Sequence, residues 1–377
     1  MGPVDDTPPL DRLVRELNAS VQKERGSAPR LTAWAASLRD QEGSDLYLVA
    51  DAPPSIRVQG TLRPLADEPL EGEEIEQSVL PLLPPHAVVQ YRKSGAADAS
   101  FRLEDLGRFR VNLHRERGRP AASIRALPLH PPQLGELGLP PAVEALAGLP
   151  HGLVLVGGPT GSGKTTTVAA LVDLINRRHA KHIVTIEDPI EFEHPHRRSV
   201  VEQVEIGIDA PDFATALRSA VRQSPDVLVV GEMRDPETMR MALAASETGH
   251  LVFSTVHTGD VASTVSRVSD AFPPERQPTI RQELSMALAA VLTQTLLPRV
   301  GGGRVAAAEL LMVGYGARQH IRKNALQHLQ QEITITRKEG SFTLEECMAQ
   351  LVKKGLLGLE DARARAVHRE ELDKLLR

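Results

Sequence analysis

The run Gly158-Pro159-Thr160-Gly161-Ser162-Gly163-Lys164-Thr165 fits G-x-x-x-x-G-K-[ST], the phosphate-binding P-loop. Its residue types match the chemistry of an anion site. Glycines let the backbone approach closely, loop N–H groups point inward, and the N-terminal end of a following helix favours negative charge. Lys164 is expected to reach the β- and γ-phosphates, and the Thr165 hydroxyl to ligate Mg²⁺. Pro159, Thr160, Gly161, Ser162, Gly163, Lys164, Thr165 and Thr166 form the expected nucleotide-binding set.

Acids and histidines follow in the same half of the chain. Glu187, Asp188 and Glu191 stand just after the apolar run Ile183–Ile186, and Glu232 closes the apolar run Val227–Val230. Carboxylates at strand C-terminal ends lie where open α/β sheets put their chemistry. In many P-loop enzymes an Asp at the second position holds the Mg²⁺ water shell, and here the strand ends Gly231-Glu232 instead. His250 and His257 bracket the run Leu251–Val256. Spacing alone leaves them open between site residues and satisfied surface histidines. His194 and His196 flank Pro195 and read as solvated, without the further ligands a zinc site needs. Earlier in the chain come Arg108, Arg110, Arg115, Arg117, Arg119 and Arg125. They are either a solvated sheet face or, for some, guanidinium forks offered across a subunit interface to a γ-phosphoryl group.

The elements that must position these groups are legible from hydrophobic patterning. Leu153–Val156 is a short apolar run before the P-loop, and Thr165–Val172 reads as the opening helix after it. Further apolar runs alternate with helical stretches such as 213–222 and 236–247, which indicates a doubly wound parallel sheet. Residues 31–125 look like a smaller α+β domain, with helix candidates at 31–38 and 71–83 and strands at 45–49, 56–62, 99–103, 108–113 and 121–125. Residues 126–137 form a proline-rich linker, residues 138–377 the P-loop domain, and residues 1–30 a flexible extension with a short helix at Leu10–Leu17. The last hundred residues read as mainly helical, including a long apolar periodicity over Gln282–Leu297.

Composition narrows the classes further. The chain has 377 residues, 41% of them apolar and 25% charged, as in ordinary globular proteins. One cysteine, Cys347, excludes a disulfide framework or a multi-cysteine zinc module. No apolar run approaches the ~18 residues of a membrane span. A net charge of −5 with 3% aromatics gives neither a basic stripe nor a stacking platform for nucleic acid.

Four blocks together resemble the secretion ATPase superfamily of type II secretion and type IV pili. They are the P-loop, the Asp box Thr185–Phe192, the Walker B region Val230–Asp235 and the His box Thr248–Thr258. Ser44–Leu48, Arg108–Asn112 and Gly302–Ala307 extend the likeness over roughly residues 31 to 370. Within the superfamily the chain is similar to the pilus retraction (PilT-type) branch, through Met233, the missing cysteines, the short N-terminal part, Phe342-Thr343-Leu344 and Leu351–Leu356. It departs at Gly316–Asn324, which matches the retraction-associated motif only in part, and at Tyr47, where the family often has His.

The resemblance implies an α/β protein: a RecA-like P-loop NTPase domain, a smaller N-terminal α+β (PAS-like) domain and a helical C-terminal tail. It implies ATP with Mg²⁺, the metal held by Thr165 and Glu232. Glu191 is the expected residue that orients or deprotonates the attacking water, supported by Glu187 and Asp188. His250 and His257 are expected to sense the γ-phosphate. Arg110, Arg117 and Arg125 are expected to reach a nucleotide from a neighbouring subunit. The family forms hexamers, so a cytoplasmic homo-hexamer is expected at the inner face of the cytoplasmic membrane. It would turn a membrane-embedded platform protein, alone or with a paralogous retraction ATPase, and would not act on nucleic acid. The alternatives are a pilus assembly or type II secretion ATPase, which shares every catalytic block, and a ring-shaped nucleic-acid translocase, against which the acidic composition argues.

Overall fold

Leu31, Ala35 and Leu38 recur at helical spacing on one face of helix Pro29–Asp40, and all three are buried. They belong to the first of two compact units, which ends at Leu129; the second begins at His130. The structure, a computed structural model, describes residues 29–377, so the helix expected at Leu10–Leu17 lies outside the described residues.

The first unit is built on six strands: β1 (Asp45–Val49), β2 (Ser55–Val58), β3 (Thr61–Pro64), β4 (Ala96–Leu103), β5 (Gly107–Glu116) and β6 (Arg119–Ala126). They run in the order β3-β2-β1-β6-β5-β4 with antiparallel pairing throughout. Leu46, Leu48, Ile56, Phe109, Val111, Leu113 and Ile124 face inward against that helix and helices Gly72–Val79 and Pro85–Ser94. Their alternation with Asp45, Tyr47, Arg57, Arg110 and Arg125 is the period-two signal of a sheet with one buried face. The stretch 56–62, expected as one strand, is a hairpin. Gln59 and Gly60 take φ of 48° and 83°, the pair of positive angles that a tight two-residue turn requires.

The second unit carries β7 (Gly152–Gly157), β8 (His182–Glu187), β9 (Val200–Glu205), β10 (Val227–Glu232), β11 (Leu251–Val256), β12 (Leu288–Pro298) and β13 (Arg304–Met312). Their order is β13-β12-β7-β11-β10-β8-β9, parallel from β12 to β9, with β13 antiparallel at the edge. Each face buries a separate apolar cluster. On one face helix Lys164–Arg178 and the C-terminal helices Leu344–Lys353, Leu359–Arg365 and Arg369–Leu376 pack through Leu171, Ile175, Met348, Ala362 and Leu372. Leu134, Val143 and Leu146, from the proline-rich stretch, also enter this cluster. The other face is covered by helices Phe213–Ala220, Pro236–Glu247, Val261–Asp270, Gln277–Ala287, Tyr315–Arg322 and Leu329–Ile335.

The helical reading of Gln282–Leu297 is corrected here. The helix ends at Ala287, and the chain turns into β12 at Leu288. That strand is covered on both faces by the two clusters. A strand buried on both sides is apolar without alternation, so its periodicity cannot be told from that of a buried helix. Cys347 lies in the first cluster, accepting the Ala308 N–H at 3.4 Å, and burial pushes its thiol up to about 11.

Candidate nucleotide-binding site

β7 runs straight into the glycine loop because three glycines accept backbone angles that other residues resist. Gly158, Gly161 and Gly163 have φ of 152°, 75° and 88°. Gly158 is also a close approach: a Cβ there would stand 2.4 Å from the Gln294 carbonyl oxygen and from Ser162 Oγ. Helix Lys164–Arg178 starts on the loop's last glycine, so its free N–H groups face the loop interior.

Lys164 is buried, and its ammonium donates to the carbonyls of Gly158 at 2.9 Å and Pro159 at 3.0 Å. Burial lowers its pKa, and the charge of Glu232 opposes that shift. His257 stands at the C-terminal end of β11, with Nδ1 3.3 Å from Thr160 Oγ1 and 3.4 Å from Lys164 Nζ, and Nε2 3.5 Å from Glu232 Oε1. Glu232 ends β10 and accepts the fork of Arg234 at 2.8 Å on Oε2. Lys164, His257 and Glu232 are thus in mutual reach at one edge of the sheet. Thr165 and Thr166 are half-buried on the first helical turn. Asp235, the last residue of its block, caps helix Pro236–Glu247 through Thr238 N at 2.8 Å.

Glu187 ends β8 on the same edge, three strand spacings from β7, which is about 14 Å. It cannot span that gap. Its carboxyl is enclosed, although the residue keeps some surface. It accepts Thr185 Oγ1 at 2.7 Å and Gln203 Nε2 at 3.3 Å, and burial raises its pKa to about 7. The Glu191 N–H bonds to Glu187 and the Glu191 charge repels it, so the two acids adjoin. Asp188 is exposed beside them.

His250 is separated from this edge. β11 and β7 pair in register from Leu251↔Gly152 to Val256↔Gly157, so His250 lies at the opposite end of the sheet, about 20 Å from His257 along the strand. Its Nδ1 lies 2.9 Å from the Ala245 carbonyl, where it closes the C-terminal end of helix Pro236–Glu247. Of the two histidines expected to sense the γ-phosphate, only His257 stands beside this chain's P-loop.

The solvated reading of His194 is also corrected. His194 is buried, Nδ1 has no hydrogen-bond partner, and burial lowers its pKa to about 4 against the opposing charge of Asp173. The two buried groups act on stability with opposite sign. Neutral His194 loses folding stability as pH falls from about 6.5, its unfolded value, through about 4. The Glu187 contribution is full below about 4.5 and is lost as pH rises through about 7. Each limb is worth up to roughly 3 kcal/mol. Glu187→Gln is therefore expected to become steadily less stable from pH 6.5 to 4.5 relative to the wild type. His194→Gln should gain stability over that descent. Urea midpoints across this range check both, and parallel curves for the three proteins would refute the assignment.

In the first unit Arg110 and Arg125 are directly opposed across β5 and β6, on the open face of the sheet. Arg125 Nε donates to Asp45 Oδ1 at 2.8 Å, and Arg110 lies 4.0 Å from Asp98. Arg117 has a φ of 49° in the turn between the two strands and is the most exposed of the three.

Two contributors had no role in the sequence reading. Arg234 was inside a named block but unassigned. Gln294 was hidden by the helical reading of its segment, and it bonds the P-loop from β12. Among the described residues no group of three or more His, Cys, Asp or Glu side chains could hold a metal ion. Thr165 offers a hydroxyl on the first helical turn and Glu232 a carboxylate at the end of β10, oxygen donors of the kind Mg²⁺ takes beside nucleotide phosphates. No helix among the described residues is long and apolar enough to cross a membrane.

Comparison with known proteins points to one family. Residues 133–349, more than half of the chain, match the family described as type II/IV secretion system protein. The type IV pilus retractation ATPase PilT of Pseudomonas aeruginosa is 41% identical over 89% of this chain and 98% of its own length. A twitching motility protein of Neisseria gonorrhoeae is 41% identical over 88% of this chain and 89% of its own. A crystal structure of the pilus retraction motor PilT with bound ADP superposes with a TM-score of 0.82 at 41% identity, covering 90% of this chain and 97% of the other.

Proposed function

Because this chain belongs to the type II/IV secretion system protein family, we propose that it is the ATP-driven motor that retracts type IV pili. It is an ATPase of that family, and its mixed α/β fold is that of the retraction motors it resembles. The observation that carries the reading is the single sheet edge on which the P-loop, His257, Glu232 and the Glu187–Glu191 pair stand in strand order.

Each residue's place supports a part in this reading. Loop N–H groups and Lys164 bind the phosphates, Lys164 giving up its two carbonyl partners to do so. Thr165 and Glu232 would hold Mg²⁺, which neutralises phosphate charge when bound. Glu191 aligns the attacking water and takes its proton, because a carboxylate suits both tasks. Glu187 positions Glu191 through that residue's N–H. His257 already touches Thr160, Lys164 and Glu232, so loss of the γ-phosphate from this cluster changes its hydrogen bonding. Arg110, Arg117 and Arg125 would complete the site of a neighbouring subunit, a head-to-tail contact of the kind that can close into a ring. We assign that ring to a homo-hexamer that works at the cytoplasmic membrane against a platform protein.

Cells lacking this protein are expected to carry more surface pili than the wild type and to lose surface motility. Bald cells would overturn the retraction reading in favour of an assembly motor, and unchanged pili with unchanged motility would assign the ATPase to another machine.

A further inference from the structure

The geometry points to Gln294 as a positioning residue of the nucleotide site, a clamp that keeps the P-loop in its phosphate-binding shape while Lys164 is engaged with the nucleotide. Gln294 is buried on β12, one residue past the pairing of Thr293 with Gly157 at the end of β7. Its Nε2 donates to the Ser162 carbonyl at 2.7 Å, and its Oε1 accepts Thr167 Oγ1 at 2.9 Å. Its own carbonyl oxygen lies 2.4 Å from where a Cβ on Gly158 would fall, and its Nε2 lies 3.1 Å from one on Gly163. One residue therefore meets the loop's first glycine, its last turn and the first turn of its helix.

Lys164 also closes the loop, through the carbonyls of Gly158 and Pro159. An ammonium cannot keep both of those partners and also turn to the β- and γ-phosphates. When it turns, the loop gives up these two bonds and keeps inside itself the Ser162 N–H bond to the Pro159 carbonyl at 3.2 Å, and the Gln294 bonds are fastenings from outside that do not compete with the nucleotide. The strand that carries Gln294 is itself pinned. Thr293 Oγ1 donates to Glu309 Oε1 at 3.0 Å, and the same oxygen accepts the Val261 N–H at 3.1 Å.

This inference rests on the reading that the loop binds ATP, so the test measures the wild type first. The full chain is titrated with a fluorescent ADP analogue and assayed for KM, kcat and thermal midpoint, alongside Gln294→Met, Thr167→Val and Thr167→Ser. Gln294→Met keeps the volume and removes both side-chain bonds. It is expected to weaken nucleotide binding about tenfold and to raise KM by the same factor, the scale of one or two lost buried hydrogen bonds, with kcat changed far less. Thr167→Val should show part of that loss, and Thr167→Ser, which keeps the hydroxyl, should not. A lower thermal midpoint with affinity within twofold of the wild type would make Gln294 merely structural and overturn the inference. Should Gln294→Met fail to fold, the Thr167 pair decides: equal affinities in the Val and Ser variants overturn it. A wild type that binds no nucleotide would instead sink the functional reading.

Discussion

Lys164→Ala is expected to lower ATP turnover by at least about 10²–10³-fold, the cost of removing one donor aimed at transition-state charge in a preorganised site. The argument starts from burial. An ammonium taken out of water loses hydration, and here two backbone carbonyls, His257 Nδ1 at 3.4 Å and the field of Glu232 compensate. The fold gains little from it in that position, so the alanine variant should melt close to the wild type. The lysine's value appears when phosphate oxygens replace the carbonyls as partners, because an anionic oxygen in a water-poor site adds a charge–charge attraction that a neutral carbonyl cannot supply. Phosphate release with saturating ATP, read beside a thermal melt, tests this. Turnover within tenfold of the wild type in a folded variant would refute the placement of Lys164 at the reacting phosphate.

Glu191→Gln should have the second large effect, lowering kcat by about 10²–10⁴-fold, the usual contribution of a general base. The substitution keeps size and one acceptor oxygen, exchanges the other for an NH₂ donor, and removes the charge and the basicity. ATP should therefore still bind, and the variant should hold it unhydrolysed. Glu232→Gln should behave differently: its carboxylate meets His257 and Arg234 beside the loop, so nucleotide affinity should fall along with turnover. If Glu191→Gln turns over ATP normally and Glu232→Gln does not, the base is Glu232.

Much of this site was legible in the sequence because its parts are local. The P-loop is one continuous segment whose glycines, lysine and flanking apolar strand constrain each other within about twenty residues. Glu187 and Glu232 were placed correctly at strand ends, since an apolar run followed by an acid marks where a parallel strand meets the catalytic edge. What stayed illegible depended on direction or depth. His250 and His257 are equivalent in spacing, and only the parallel register of β11 with β7 sends them to opposite ends of the sheet. His194 has the polar neighbours of a loop residue, and only packing beside helix Lys164–Arg178 makes it a buried neutral imidazole. Gln294 sits in an apolar run whose two buried faces erase the strand period, so the reading lost the residue along with its strand.

The lone cysteine has a practical consequence. A thiol must ionise to react with alkylating dyes or to exchange with disulfides, and Cys347, buried and pushed up to about 11, offers almost no thiolate at neutral pH. The folded protein should be inert to maleimides without any substitution. A single cysteine introduced on the open face of the first unit, or on an exposed helix of the second, would then be the one position that takes a fluorophore. Energy transfer between two such positions could follow each ATP cycle in the otherwise native chain, and reaction of Cys347 itself would report that the second unit had opened.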